Sequence, residues 1–148
     1  MRARYAVAMI RGSCLCGGVT FAIDGELTPI QLCHATRFRK ASGAAFAPEM
    51  LCRHADLRWL TGEALVREYE APLLHTPPAY RRAFCATCGS PLPCGIAGTI
   101  YANVPTGVLD DDPGTRPFRH AFVAQRACWH EITDGLPQHD GRPPTPEA

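Results

Sequence analysis

A mainly β, single-domain protein is predicted by three features: short runs of alternating apolar residues, frequent turn signals between them, and no helical period sustained over three turns. At 148 residues the chain suits one domain with its own core. Gly18 to Asp24 sets Val19, Phe21 and Ile23 against Thr20, Ala22 and Asp24, the pattern of a half-buried strand. Strand-like runs follow over 30–34, 45–52, 56–60, 64–70, 80–84, 99–104 and 119–124. Asp24-Gly25, Thr61-Gly62, Gly89-Ser90-Pro91 and Asp112-Pro113-Gly114 mark turns between them. The 14 prolines and 13 glycines punctuate strands more readily than helices, so helix is confined to a turn or two over 35–41. Residues 1–11 read as a lead-in, 12–138 as the domain, and 139–148 as a proline-rich flexible tail without apolar anchors.

Charge excludes some functions. With 15 basic and 14 acidic residues the net charge is +1, too little to draw the protein onto nucleic acid or an anionic membrane. No apolar run approaches the roughly 20 residues of a membrane span, and the apolar stretch in MRARYAVAMIRG is too short for a signal peptide. The expectation is a cytoplasmic protein with no membrane or nucleic-acid partner; nothing in the sequence sets an oligomeric state.

Eight cysteines in a chain expected to stay in a reducing compartment favour a metal over disulfides. Four of them form two tight pairs, Cys14-Leu-Cys16-Gly17 and Cys85-Ala-Thr-Cys88-Gly89, each closed by glycine. Thiolates two or three residues apart on a sharp turn can share one tetrahedral zinc, and glycine after the pair tolerates positive φ, letting backbone N–H groups turn toward the sulfurs. With all four corners supplied by protein, such an ion is structural. It would staple an early hairpin to a late one and couple folding to metal, at about 10–16 kcal/mol for small cysteine-rich modules. Two disulfides or four unpaired thiols are the alternatives.

Cys33 stands apart, in QLCHATRFRKASG, ahead of Arg37, Arg39 and Lys40. Nearby cations favour a thiolate and arginine forks suit carboxylates, so Cys33 is a candidate catalytic thiol and the three cations candidate substrate-binding groups. A plain packing role for Cys33, with the cations on a solvated edge, is the competing reading. Cys52, Cys94 and Cys128 read as core or incidental positions, Trp59 and Trp129 as core or rim aromatics, His120 and His130 as structural histidines, and Asp110, Asp111 and Asp112 as a solvated turn.

The ordered set G-S-C-L-C-G-G-V at 12–19, C-H-x-x-x-x-R-K-A-S-G at 33–43, R-W-L-T-G-E at 58–63, F-C-A-T-C-G-S-P-L at 84–92, G-V-L-D-D at 107–111, H-A-F-V at 120–123 and W-H-E-I-T-D-G-L-P-Q at 129–138 resembles the glutathione-dependent formaldehyde-activating enzyme family, which includes centromere protein V. The resemblance implies a β-tent-like fold and a structural zinc on Cys14, Cys16, Cys85 and Cys88. It also implies carbon-sulfur lyase chemistry of the S-hydroxymethylglutathione synthase kind, joining formaldehyde to glutathione.

Members of that kind look to carry a second zinc on a C-x-C-x-x-C clip starting where Cys33 stands. Here the second and third positions are Ala35 and Phe38, which cannot ligate a metal, and one thiolate holds zinc poorly. A replacement ligand set would need Cys52, Cys94, Cys128 or His130. The sequence thus predicts one structural zinc, a degenerate second site, and either a lyase acting on a thiol-aldehyde adduct or a binding module that has lost the lyase centre. A redox or nucleophilic role for Cys33 is a third reading, and a small thiol such as glutathione is the expected partner.

Overall fold

Alternation and turn chemistry build eleven short strands and one helix in the computed structural model, which describes residues 9–73 and 78–144. The strands are β1 (Ile10–Ser13), β2 (Thr20–Ile23), β3 (Ile30–Cys33), β4 (Ala47–Arg53), β5 (Leu57–Thr61), β6 (Val66–Glu70), β7 (Arg81–Cys85), β8 (Pro91–Leu92), β9 (Cys94–Gly95), β10 (Tyr101–Pro105) and β11 (Pro117–Ala121). Helix α1 (Thr36–Ser42) falls where a brief helix is predicted; it ends at Gly43, whose positive φ lets its N–H return to the Arg39 carbonyl. β1 begins at Ile10, two residues before the domain boundary expected at 12.

The strands form three sheets, ordered β1-β2-β5, β11-β3-β4-β10-β9 and β6-β7-β8. Neighbours pair antiparallel except β11 with β3, which run parallel. One apolar cluster joins all three sheets: Val19, Phe21 and Ile23 meet Leu32, Met50, Ala102 and Val104 from the large sheet and Ala83 and Leu92 from the third. Burying a side chain of this size contributes roughly 1.5–3 kcal/mol, and Phe21, Ile23, Met50 and Leu92 are fully enclosed. Trp59 meets Phe21 edge to face at 5.9 Å, in the core role expected of it. Gly12 lies opposite Phe21 in β1, where an added Cβ would come within 2.2 Å of the ring; glycine there admits the aromatic core residue.

The three aspartates after β10 are exposed, as a solvated turn requires, but each also has a fixed partner. Asp111 accepts from the Arg11 N–H at 2.8 Å, Asp110 from the Ser13 hydroxyl, and Asp112 pairs with Arg116, so the turn clamps β1. Past β11 the chain returns along the same strand. His120 N–H donates to the Pro137 carbonyl, His139 N–H to that of His120, and Phe122 N–H to that of Gly141, so these residues of the proline-rich tail are hydrogen-bonded. Residues 145–148 lie outside the described residues.

Candidate metal centre and cleft

Each cysteine pair sits on a tight turn between hydrogen-bonded strands: Cys14 and Cys16 follow β1, while Cys85 ends β7 and Cys88 precedes β8. Gly17 and Gly89 adopt φ near 74° and 75°, the positive values the sequence calls for. Their N–H groups bond the carbonyls of Cys14 and Cys85 at 3.0 and 2.8 Å, closing the two turns alike. The Val19 N–H reaches a sulfur, 3.3 Å from Cys14 Sγ, and backbone N–H groups also bond Cys16 and Cys88.

The turns meet. All four Sγ atoms of Cys14, Cys16, Cys85 and Cys88 lie within 4.8 Å of one another, with Cys14 to Cys16 at 3.5 Å and Cys16 to Cys85 at 3.9 Å, although Cys16 and Cys85 are 69 positions apart. A tetrahedral ion about 2.3 Å from each sulfur places the sulfurs about 3.8 Å apart, so this set fits one. All four are free thiols, which removes the two-disulfide alternative. Ser90 ties the turns together: its Oγ accepts the Leu15 N–H at 2.8 Å and stands 3.3 Å from Cys88 Sγ. Ser90 pulls the Cys88 thiol down to about 5, favouring the metal-binding thiolate. Bound there, the ion would supply cross-linking, since no corner is left for a substrate.

Cys33 occupies a different setting. It ends β3 opposite Ala47 of β4 and is 1% exposed. Burial, then the Glu49 carboxyl, pushes its thiol up to about 12, the reverse of the activation expected from nearby cations. Two of those cations are engaged elsewhere. The Arg37 guanidinium donates to the Pro72 carbonyl, Arg39 Nε to the Gln125 carbonyl at 3.1 Å, and Lys40 is exposed. Cys33 belongs to strand β3 and α1 starts only at Thr36, so no helical turn sets Arg37 on the face of Cys33. Among the described residues, no group of three or more potential metal ligands includes Cys33; Cys52 and Cys94 are buried and Cys128 is exposed.

Beside this stretch lies a cavity of about 350 Å³, lined by Phe38, Phe46, Leu92 and Val108 together with Glu49, Tyr80 and Asn103. Phe38, at the third position of the expected metal clip, packs on Tyr80 with ring centroids 4.8 Å apart. Beneath the cavity, polar side chains run across four adjacent strands. Arg119 of β11 donates to Gln31 Oε1 of β3 at 2.8 Å, Gln31 Nε2 to Glu49 Oε1 of β4 at 2.9 Å, and Asn103 Nδ2 of β10 to Glu49 Oε2 at 2.6 Å. Burial pushes the Glu49 carboxyl up, against the pull of the two amides and Arg119. Tyr80 is pushed up to about 12, chiefly by burial.

A second chain, buried at its two histidines and open at its acid, links His34 Nε2 to His120 Nδ1 at 2.8 Å and His120 Nε2 to Asp134 at 3.0 Å. Asp134 accepts, so His120 carries its proton on Nε2 and takes one from His34 on Nδ1. His120 thus has the structural role predicted, while Trp129 is 71% exposed. Sequence reasoning missed Glu49, Tyr80 and Asp134; an acid inside the strand-like run 45–52 is the one signal that pointed to Glu49.

A sequence profile of the family described as glutathione-dependent formaldehyde-activating enzyme matches residues 9–125. No curated protein matches the chain in sequence. Among solved structures, a crystal structure of a Rhodobacter sphaeroides protein aligns with a TM-score of 0.53 at 21% identity, over 72% of this chain and 97% of that one, a likeness of fold.

Proposed function

The chain belongs to the glutathione-dependent formaldehyde-activating enzyme family, and from that premise we propose that it is a zinc-stapled binding module which keeps the family's cleft without the second zinc. Zinc is the ion for the four-cysteine centre, because four soft thiolates at tetrahedral spacing suit it. One ion per chain follows. The cleft receives a small thiol, glutathione or a relative, carrying its aldehyde adduct.

The observation that carries this reading is Phe38: its ring occupies the wall of the cavity against Tyr80, where a third thiolate would have to stand. Cys33, the remaining thiol of the clip, is buried and held protonated, which makes it a poor nucleophile and a poor ligand at neutral pH. Elemental analysis of the purified protein beside a Cys33→Ala variant tests it. One zinc in each supports the module; two in the native chain and one in the variant would overturn it.

A lyase is the second reading, favoured by the buried Glu49 carboxyl, which in its neutral form could protonate an adduct oxygen at the cavity wall. NMR of formaldehyde and glutathione exchanging into S-hydroxymethylglutathione separates the two. Exchange no faster than without protein favours the module, and acceleration lost in Glu49→Gln favours the lyase.

A further inference from the structure

The four cysteines of the metal centre are not equally sheltered. Cys14 and Cys85 are buried and Cys88 is half-buried, but Cys16 is exposed. It follows Leu15, which is 87% exposed, and precedes exposed Gly17, so this part of its turn is open to water. Two other sulfurs stand close to its own, Cys14 Sγ at 3.5 Å and Cys85 Sγ at 3.9 Å. A cysteine that ligates a metal is deprotonated, and the thiolate is the form that attacks a peroxide. Where all four are thiolates, access from solvent decides which reacts first.

We propose that Cys16 is the site at which a hydroperoxide oxidises this centre, and that Cys14 resolves the product as a disulfide. In the first step Cys16 Sγ attacks one peroxide oxygen, the O–O bond breaks and hydroxide leaves, so the sulfur becomes a sulfenic acid. The Cys14 thiolate then attacks the Cys16 sulfur; the S–S bond forms and a second hydroxide is expelled. Two thiolates lose one electron pair and the peroxide gains it. Cys14 is the resolving group because its sulfur is the nearer and shares the turn, whereas Cys85 belongs to β7. Only Cys85 and Cys88 then remain as ligands, and two sulfurs hold a cation weakly. The two turns keep the hydrogen bond from the Leu15 N–H to Ser90 but lose the ion that staples them. A bridge between residues two apart closes a small, strained ring, which a dithiol reopens. The staple therefore holds only in reducing surroundings. The inference rests on the four-cysteine zinc reading and goes beyond it by making one ligand a modification site.

Hydrogen peroxide added to the full zinc-loaded chain tests it, with a chromophoric zinc chelator and non-reducing peptide mapping as readouts and exposed Cys128 as internal reference. At a dose that oxidises half of Cys128, dimedone should trap Cys16 as its sulfenic acid before Cys85 or Cys88. One zinc should be released for each disulfide formed between Cys14 and Cys16, and dithiothreitol with added zinc should restore the centre. Cys16→His keeps a fourth ligand that forms no disulfide, so zinc release should slow at least tenfold. Earlier reaction of Cys85 or Cys88, zinc retained while Cys128 is fully oxidised, or native release from a zinc-loaded Cys16→His chain would each overturn the inference. Should that variant take up no zinc, the order of trapping in the native chain decides alone. A native chain that binds no zinc before peroxide is added overturns the zinc reading instead, which keeps the two failures apart.

Discussion

Cys85 and Cys33 are both buried strand-end cysteines, yet one belongs to a centre that could bind an ion and the other is an inert thiol. Cys85 has three sulfurs within 4.8 Å and a serine bridging the two turns; Cys33 has alanines and the Glu49 carboxyl nearby. Burial alone therefore does not decide what a thiol does. The number of sulfurs converging on one point decides it, since each added thiolate shares the cost of leaving water with a cation.

The harshest way to break the comparison is Cys85→Ala. It should release the ion and, at about 10–16 kcal/mol of metal-linked folding, abolish cooperative unfolding in calorimetry. Retained two-state melting with a full metal complement would show that the centre is not the staple. Next, the contrast can be reversed by restoring the clip. Ala35→Cys combined with Phe38→Cys should raise the metal count by one while the Phe38 to Tyr80 contact is lost, and an unchanged count would mean that α1 cannot present the three sulfurs to one ion.

Acid should probe the second region through His34. Its folded value is depressed to about 4, burial leading and His120 next, from an ordinary 6.5. The unfolded chain therefore takes up the proton first, so the stability this group contributes is complete above pH 6.5 and lost as pH falls toward 4. Native protein should lose about 2 kcal/mol more than His34→Gln across that window, read from urea midpoints. Equal losses in both would remove the histidine chain to Asp134 as a source of stability.

The smallest effects belong to Cys33 itself. Cys33→Ala should cost about 1 kcal/mol in denaturant melts and leave the metal content unchanged. Alkylation followed by mass spectrometry should label exposed Cys128 at pH 8 while Cys33 stays unmodified in the folded chain. Rapid labelling of Cys33 would place it back among the candidate reactive groups.

Much of this was legible in the sequence because period-2 alternation and Gly-closed cysteine pairs are local signals. The run at 18–24 contains β2, those at 30–34 and 99–104 contain β3 and most of β10, and the four sulfurs came together as their spacing predicts. β8 and β9, of two residues each, are too short to show a period. The polar row was illegible for a different reason: Arg119, Gln31, Glu49 and Asn103 come from four strands, and only the parallel β11–β3 pairing and its antiparallel neighbours bring them into line. Of the two readings weighed for Cys33, burial fits the packing one, since Arg37 and Arg39 turn to backbone carbonyls in space.

The separation of the two cysteine turns also bears on how the protein is made. While the ribosome is still short of Cys85, only Cys14 and Cys16 of the four-cysteine centre have been made, with exposed Leu15 between them, and two sulfurs hold a cation weakly. Firm capture waits until Cys88 emerges, so the supply of the cation at that moment sets how long the unfinished chain remains open to proteases.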